Sequence, residues 1–119
     1  MPLVDAGLVV EQQGEGEILP GLSVLLSHGH SPAMQRPLLS LDDGRRLCFP
    51  SDLIPTLAHV ALPWMMSYDN QPLLAVEEKK AVLERAAEEE WLLVPDHDPS
   101  VEIYRVRPQG RAFAPVGLE

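Results

Sequence analysis

Leu38-Leu39-Ser40-Leu41-Asp42-Asp43-Gly44-Arg45-Arg46-Leu47-Cys48-Phe49-Pro50-Ser51-Asp52 is the stretch on which the fold turns. Two apolar runs, 38–41 and 46–49, flank Asp42-Asp43-Gly44. Asp-Gly between apolar runs is a strong hairpin signal, because glycine reaches the positive φ that a tight reversal needs. The second strand then delivers the chain to Pro50-Ser51-Asp52, placing a carboxylate just beyond a strand end.

Upstream of the hairpin, 3–11 is apolar with β-branched residues and reads as a strand. Gly14-Glu15-Gly16-Glu17 reads as a turn, Ile18-Leu19 leads into a second turn at Pro20-Gly21, and 22–26 reads as a buried strand. The span 28–37 reads as a loop, since Pro32 and Pro37 interrupt any ladder. Downstream, 53–72 is a long stretch containing Pro55 and Pro63 together with Trp64, Met65, Met66 and Tyr68; stretches of this kind hold short helical turns or function. The spacing of Val82, Leu83, Ala86 and Ala87 predicts a helix over 76–91. Glu77 and Glu78 favour its start and Glu88 to Glu90 oppose its end, where Arg85 offers partial relief. Short strands are expected at 91–94 and 101–106, with an edge strand at 110–114. The order implies one mixed α/β (α+β) domain over 1–119, a mixed sheet with its one long helix on one face.

Composition narrows the function. With 9 Lys and Arg against 18 Asp and Glu, the net charge is −9, which repels phosphate backbones and anionic lipid, so neither nucleic acid nor a membrane is an expected partner. No apolar run approaches the ~20 residues of a membrane span, and 1–11 carry no Lys or Arg to start a signal peptide. Cys48 is the only cysteine, so no intrachain disulfide can form, and a reducing cytoplasm is the expected setting. No Gly-x-Ser-x-Gly or phosphate-binding glycine loop is present.

Three segments carry chemistry: Ser27-His28-Gly29-His30-Ser31-Pro32, Phe49-Pro50-Ser51-Asp52, and Pro95-Asp96-His97-Asp98. Each follows an expected strand, where a rigid scaffold presents polar groups to a cleft. Imidazole and carboxylate together suit zinc, iron or manganese, although a lone His or Asp at a strand end is more often a hydrogen-bonded loop, turn or cap residue. His28 reads as a strand-end cap or as sharing a face with His30, His59 as a locally hydrogen-bonded loop residue or cleft lining, and Cys48 as a buried strand residue. Trp64, Met65, Met66 and Tyr68 read as core or loop anchors, or as an apolar wall. Asp96 or Asp98 can orient the second nitrogen of His97, and Asp98-Pro99 equally starts a turn.

Taken in order, Leu19-Pro20-Gly21, Gly29-His30-Ser31-Pro32, Ser51-Asp52-Leu53 and Asp96-His97-Asp98 resemble the C-terminal half of a metallo-β-lactamase-fold hydrolase, over about 18–106. That superfamily includes lactonases, hydroxyacylglutathione hydrolases and organophosphate hydrolases. The resemblance implies that His30 ligates one metal, Asp52 bridges two and His97 ligates the other. It implies water activated by one or two zinc, iron or manganese ions attacking an ester, lactone, thioester or related bond in a small-molecule substrate. Ser31 and Ala33 stand where the family has Thr and Gly in Gly-His-Thr-x-Gly, and Ser51 stands where it has Gly before Asp. The family's His-x-His-x-Asp-His motif is absent from 1–119. The resemblance therefore implies a site incomplete in this chain alone, with no autonomous catalysis, and a half-sandwich whose sheet needs a cover. A complementing N-terminal half or a second copy forming a homodimer are the expected partners. The alternative is a non-catalytic, metal-free interaction domain assembling through that sheet face.

Overall fold

The hairpin forms as its sequence dictates. In the computed structural model, which describes residues 1–117, β3 (Met34–Ser40) and β4 (Arg46–Cys48) pair antiparallel, with Leu38 opposite Cys48. Gly44 closes the turn at φ +85°, its N–H donating to Leu41 O at 3.0 Å, while Leu41 N–H donates to Arg45 O at 2.8 Å. The first hairpin, β1 (Gly16–Leu19) and β2 (Leu22–Ser27), reverses at Pro20-Gly21, where Gly21 has φ +79°.

The strands β5 (Leu92–Leu93), β6 (Tyr104–Gln109) and β7 (Ala112–Gly117) complete a seven-stranded mixed sheet in the order β1-β2-β3-β4-β5-β6-β7. All neighbours are antiparallel except β4 and β5. The crossover between those two contains 3₁₀ turns at Ser51–Leu53 and Leu57–Val60 and the one long helix, α2 (Pro72–Glu88). The residues Ala75, Lys79, Val82, Leu83 and Ala86 make its buried stripe. The stripe packs on Leu38, Cys48, Leu93, Tyr104 and Val106, with Trp91 fully buried beside them and the Arg85 guanidinium stacked 4.9 Å from its ring.

Four expectations change. The span 3–11 is not a strand: Pro2 opens a short helical turn, α1 (Pro2–Asp5), which the N-terminal ammonium closes on Asp5 at 3.0 Å. Leu3, Val4, Leu8, Val9 and Val10 stay exposed, because β1 already occupies the sheet edge and strand propensity without a pairing partner buries nothing. The expected loop 28–37 ends early, since β3 begins at Met34 and runs through Pro37. The Pro37 carbonyl accepts from Phe49 N at 2.9 Å, so its ring nitrogen faces the same side, beyond the end of β4, where the missing donor is harmless. The helix α2 starts at Pro72 rather than 76, since proline at the first helical position needs no partner for its nitrogen. At the other end of α2 the expected relief by Arg85 is present: Glu89 accepts from Arg85 at 2.8 Å, and also from Arg46 and Trp91 Nε1 at 2.9 Å. The strand expected at 101–106 begins only at Tyr104.

Alternation places Leu25, Arg36, Leu38, Cys48, Leu93 and Tyr104 on the helix side. Leu22, Leu26, Leu39 and Leu47 therefore lie on the other face, where they are only partly buried. One sheet and one helix layer give extents of 50 × 37 × 25 Å.

Candidate functional site

The strand directions explain why three distant segments meet. Both β2 and β4 flank β3 antiparallel, and β5 runs parallel to β4, so the C-terminal ends of β2, β4 and β5 open on one edge. His30, Asp52 and His97 follow those three ends.

The His30 loop is moored to α2. The Ser27 hydroxyl, His28 N at 2.8 Å and Gly29 N at 3.0 Å all donate to the Glu78 carboxylate. Those three bonds outweigh burial and hold its pKa below the usual carboxylate range; burial is the largest single influence and acts upward. In return Gln71 N donates to Gly29 O at 2.8 Å and Asn70 N to His30 O at 3.1 Å. Gly29 lies so close to α2 that a Cβ built on it would stand 2.4 Å from Ala75 Cα. Asp52 sits in the 3₁₀ turn after Pro50, where Ser51 adopts φ +52° and donates to Gln35 O at 3.2 Å. His97 is tethered by its own N–H to Pro55 O at 3.0 Å.

Asp52 lies between the two imidazoles. Its Oδ2 is 3.3 Å from His30 Nε2 and its Oδ1 is 3.0 Å from His97 Nε2. Two ligands each about 2.1 Å from a common ion at 90–110° stand about 3.0–3.4 Å apart, so both spacings match ligands sharing an ion. The donors nevertheless fall into two pairs that share Asp52. Among the described residues, no group of three or more His, Cys, Asp or Glu side chains is arranged around one ion position. The residues fit two half-filled positions rather than one complete one.

Asp69 is the residue that sequence reasoning missed. Its carboxylate is almost fully buried, with Oδ1 2.7 Å from His30 Nδ1 and Oδ2 accepting from Met66 N at 3.1 Å. Nothing about an acid three residues before a helix marks it in the sequence. The expected orienting role of Asp96 or Asp98 on His97 is absent. Asp98 is spent on Leu57 N at 2.9 Å and on Ser100, bonds that lower its pKa, while burial and then Asp52 raise that of Asp96. His28 caps locally, accepting from Ala33 N at 3.1 Å. His59 pairs through Nδ1 with Thr56 Oγ1 at 2.8 Å, and burial followed by Lys79 lowers its pKa. Met65 packs on the core, but Trp64 and Tyr68 are 60% and 63% exposed, so those two are not core anchors. The Tyr68 ring meets His30 edge-on at 5.8 Å and Trp64 meets His59 at 6.5 Å. Cys48 is buried, its thiol pushed up to about 11 chiefly by desolvation, which makes it chemically quiet.

The architecture superposes on solved hydrolases. A probable metal-dependent hydrolase from Staphylococcus aureus matches with a TM-score of 0.80 and 21% identity, over 96% of this chain and 41% of its own. AidC, a dizinc quorum-quenching lactonase, matches at 0.81 and 17% identity, over 96% of this chain and 39% of its own. The hydrolase AbOPH of the beta lactamase superfamily matches at 0.75 and 20% identity, over 87% and 36%. The chain has the α+β fold of these metallo-β-lactamase-fold hydrolases over part of their length. The chain spans about two-fifths of the length of the first two of these structures. No family model and no curated protein sequence matches it. No helix among the described residues is long and apolar enough to cross a membrane.

Proposed function

We propose that this chain provides the C-terminal share of a two-ion, metallo-β-lactamase-type hydrolytic site. In this reading His30, Asp52 and His97 would hold the ions, the Asp52 carboxylate serving both imidazoles. The observation that carries the reading is Asp52 standing within 3.3 Å and 3.0 Å of two imidazole Nε2 atoms supplied by different strand ends. When bound, ions of the zinc, iron or manganese type lower the pKa of water and polarise a carbonyl. The chain's own residues hold that centre in place. Asp52 fixes the spacing of the two imidazoles, Asp69 orients His30, and the bonds to Glu78 fix the loop on which His30 rides.

Two donors per ion fall short of the three that catalytic zinc sites take from protein, so further ligands must come from outside this sequence. An ester, lactone or thioester is the proposed substrate class, the two-ion lactonase AidC being the chemical analogue. The proposed setting is a reducing compartment such as the cytoplasm, with Cys48 as the only cysteine.

The open sheet face supports a partner, either a complementing half or a second copy of this chain. The chain exposes 7635 Å², against ~6,400 Å² for a compact protein of this mass. The excess, about 1,200 Å², is shared between that face and the exposed N-terminal segment, and it compares with the roughly 800 Å² per partner of a stable interface. The same face favours a second reading, a metal-free assembly domain. Zinc titration by calorimetry separates the two. The metal reading expects zinc binding that weakens at least tenfold in Asp52→Ala; binding unaltered by that change, or no binding at all, defeats it. Sedimentation at micromolar concentration is expected to give a dimer, and a monomer would remove self-association.

A further inference from the structure

Lys79 is fully buried on the core stripe of α2, an unusual place for an ammonium. Its Nζ donates to two main-chain carbonyls of the crossover, Ala61 O at 3.1 Å and Trp64 O at 2.6 Å. Desolvation pushes its pKa down to about 8, with Asp69 acting the other way. The segment it grips is closed on itself further along: Trp64 N donates to Ala61 O at 3.0 Å, Asp69 N donates to Met66 O at 3.2 Å, and Met66 N donates to Asp69 Oδ2 at 3.1 Å. Its far end is fixed by Asn70 N and Gln71 N on the carbonyls of His30 and Gly29. In the middle, Leu62 and Met65 pack against the core, Trp64 is mostly exposed, and Lys79 supplies the hydrogen bonds that hold the main chain there.

We propose that Lys79 is a positioning residue for His30. By holding the Ala61 and Trp64 carbonyls it seats residues 61–69 so that Asp69 keeps a proton on His30 Nδ1, leaving Nε2 as the nitrogen turned to Asp52. The consequence for metal affinity rests on the function proposed above; the placement of the proton does not.

The experiment is nitrogen-15 NMR of the His30 ring in metal-free protein, alongside zinc calorimetry, for wild type, Lys79→Met, Asp69→Asn and the double variant. Wild type is expected to show an Nδ1–H resonance protected from exchange. Both single variants are expected to lose it, each with zinc affinity reduced about 10–100-fold, the usual effect of removing an orienting partner. The double variant is expected to be no worse than Asp69→Asn. A folded Lys79→Met that keeps the resonance and the wild-type affinity overturns the proposal, as does additive loss in the double variant. Should Lys79→Met not fold, Lys79→Gln is read on the same signal, and a wild type lacking the protected proton overturns the proposal by itself. A proton that follows Lys79 in a protein that binds no zinc leaves the positioning role standing and removes the metal reading instead.

Discussion

Replacing Gly29 by alanine tests the packing that presents His30. The new Cβ would lie 2.4 Å from both Ala75 Cα and Ala75 N and 2.5 Å from Ala75 Cβ, where ordinary contact begins at 3.4 Å. The loop and α2 must therefore part by about 1 Å, and the atoms in the way are mostly main chain, which cannot swing aside as a flexible side chain would. Over-packing of this kind costs about 1–3 kcal/mol, and rigid neighbours on both sides place this case near the top. At roughly 4 °C per kcal/mol for a domain of this size, the melting temperature is expected to fall by about 8–12 °C. The same displacement stretches the bonds from Gly29 N to Glu78 and from Gln71 N to Gly29 O, so the His30 resonances should shift along with stability. Urea denaturation of Gly29→Ala beside Gly117→Ala is the assay, because a Cβ at Gly117 meets nothing within 4 Å. The control is expected within 0.5 kcal/mol of wild type. A loss below 0.5 kcal/mol in Gly29→Ala would refute the reasoning.

Three further perturbations test the backbone and the buried titratable groups. Ala33 and Ser51 hold φ of +57° and +52°, a region that disfavours side chains, so Ala33→Gly is expected to raise stability by about 0.5–1 kcal/mol in urea unfolding. Ser51→Gly should gain less, since it also gives up the hydroxyl bond to Gln35 O. Alkaline titration should give a stability maximum. Lys79 binds its proton less tightly folded, at about 8, than unfolded, at 10.5, so stability rises as pH climbs through that window. The Cys48 thiol is raised from 9.0 to about 11, and burial raises the Tyr104 phenol above its ordinary 10.0. Stability therefore falls where the unfolded groups ionise first, above about pH 9. Urea midpoints from pH 7 to 10.5 should peak near pH 9, and a steady decline from pH 7 would show that Lys79 is not the buried charge it is taken to be.

The sequence disclosed those parts of the fold that rest on local chemistry. Asp42-Asp43-Gly44 and Pro20-Gly21 are reversals that their residues all but require, and the stripe from Val82 to Ala86 gives a helix wherever the sheet lies. The meeting of His30, Asp52 and His97 was legible only as an ordered set, because each residue alone is an ordinary loop side chain. What local chemistry hides is partnership across the chain. Val4 and Val9 look like strand residues until the sheet edge proves occupied, and Pro37 looks like a breaker until its nitrogen is found beyond the end of β4. Asp69 and Lys79 were invisible for the same reason, since their meaning lies in His30 Nδ1 and in two carbonyls contributed by other segments. Ala33 and Ser51 are a different case: each stands where the resemblance has glycine, and each holds the left-handed backbone, at φ +57° and +52°, that glycine adopts most readily.

The single parallel seam has a consequence for the order of folding. Four strands, β1 to β4, form a meander of near neighbours that can assemble from short loops, and β6 with β7 is another local hairpin. The join between these two blocks is β4 with β5, only Leu47 on Leu92 and Cys48 on Leu93, closed across the whole crossover. Long-range pairings of that kind form late, since loop entropy must be overcome before they give any return. Asp52 follows one side of the seam and His97 the other. The His97–Asp52 contact is thus a timer on the folding reaction, absent from any intermediate in which only the two hairpin blocks have formed and complete when the last and most distant strands have met.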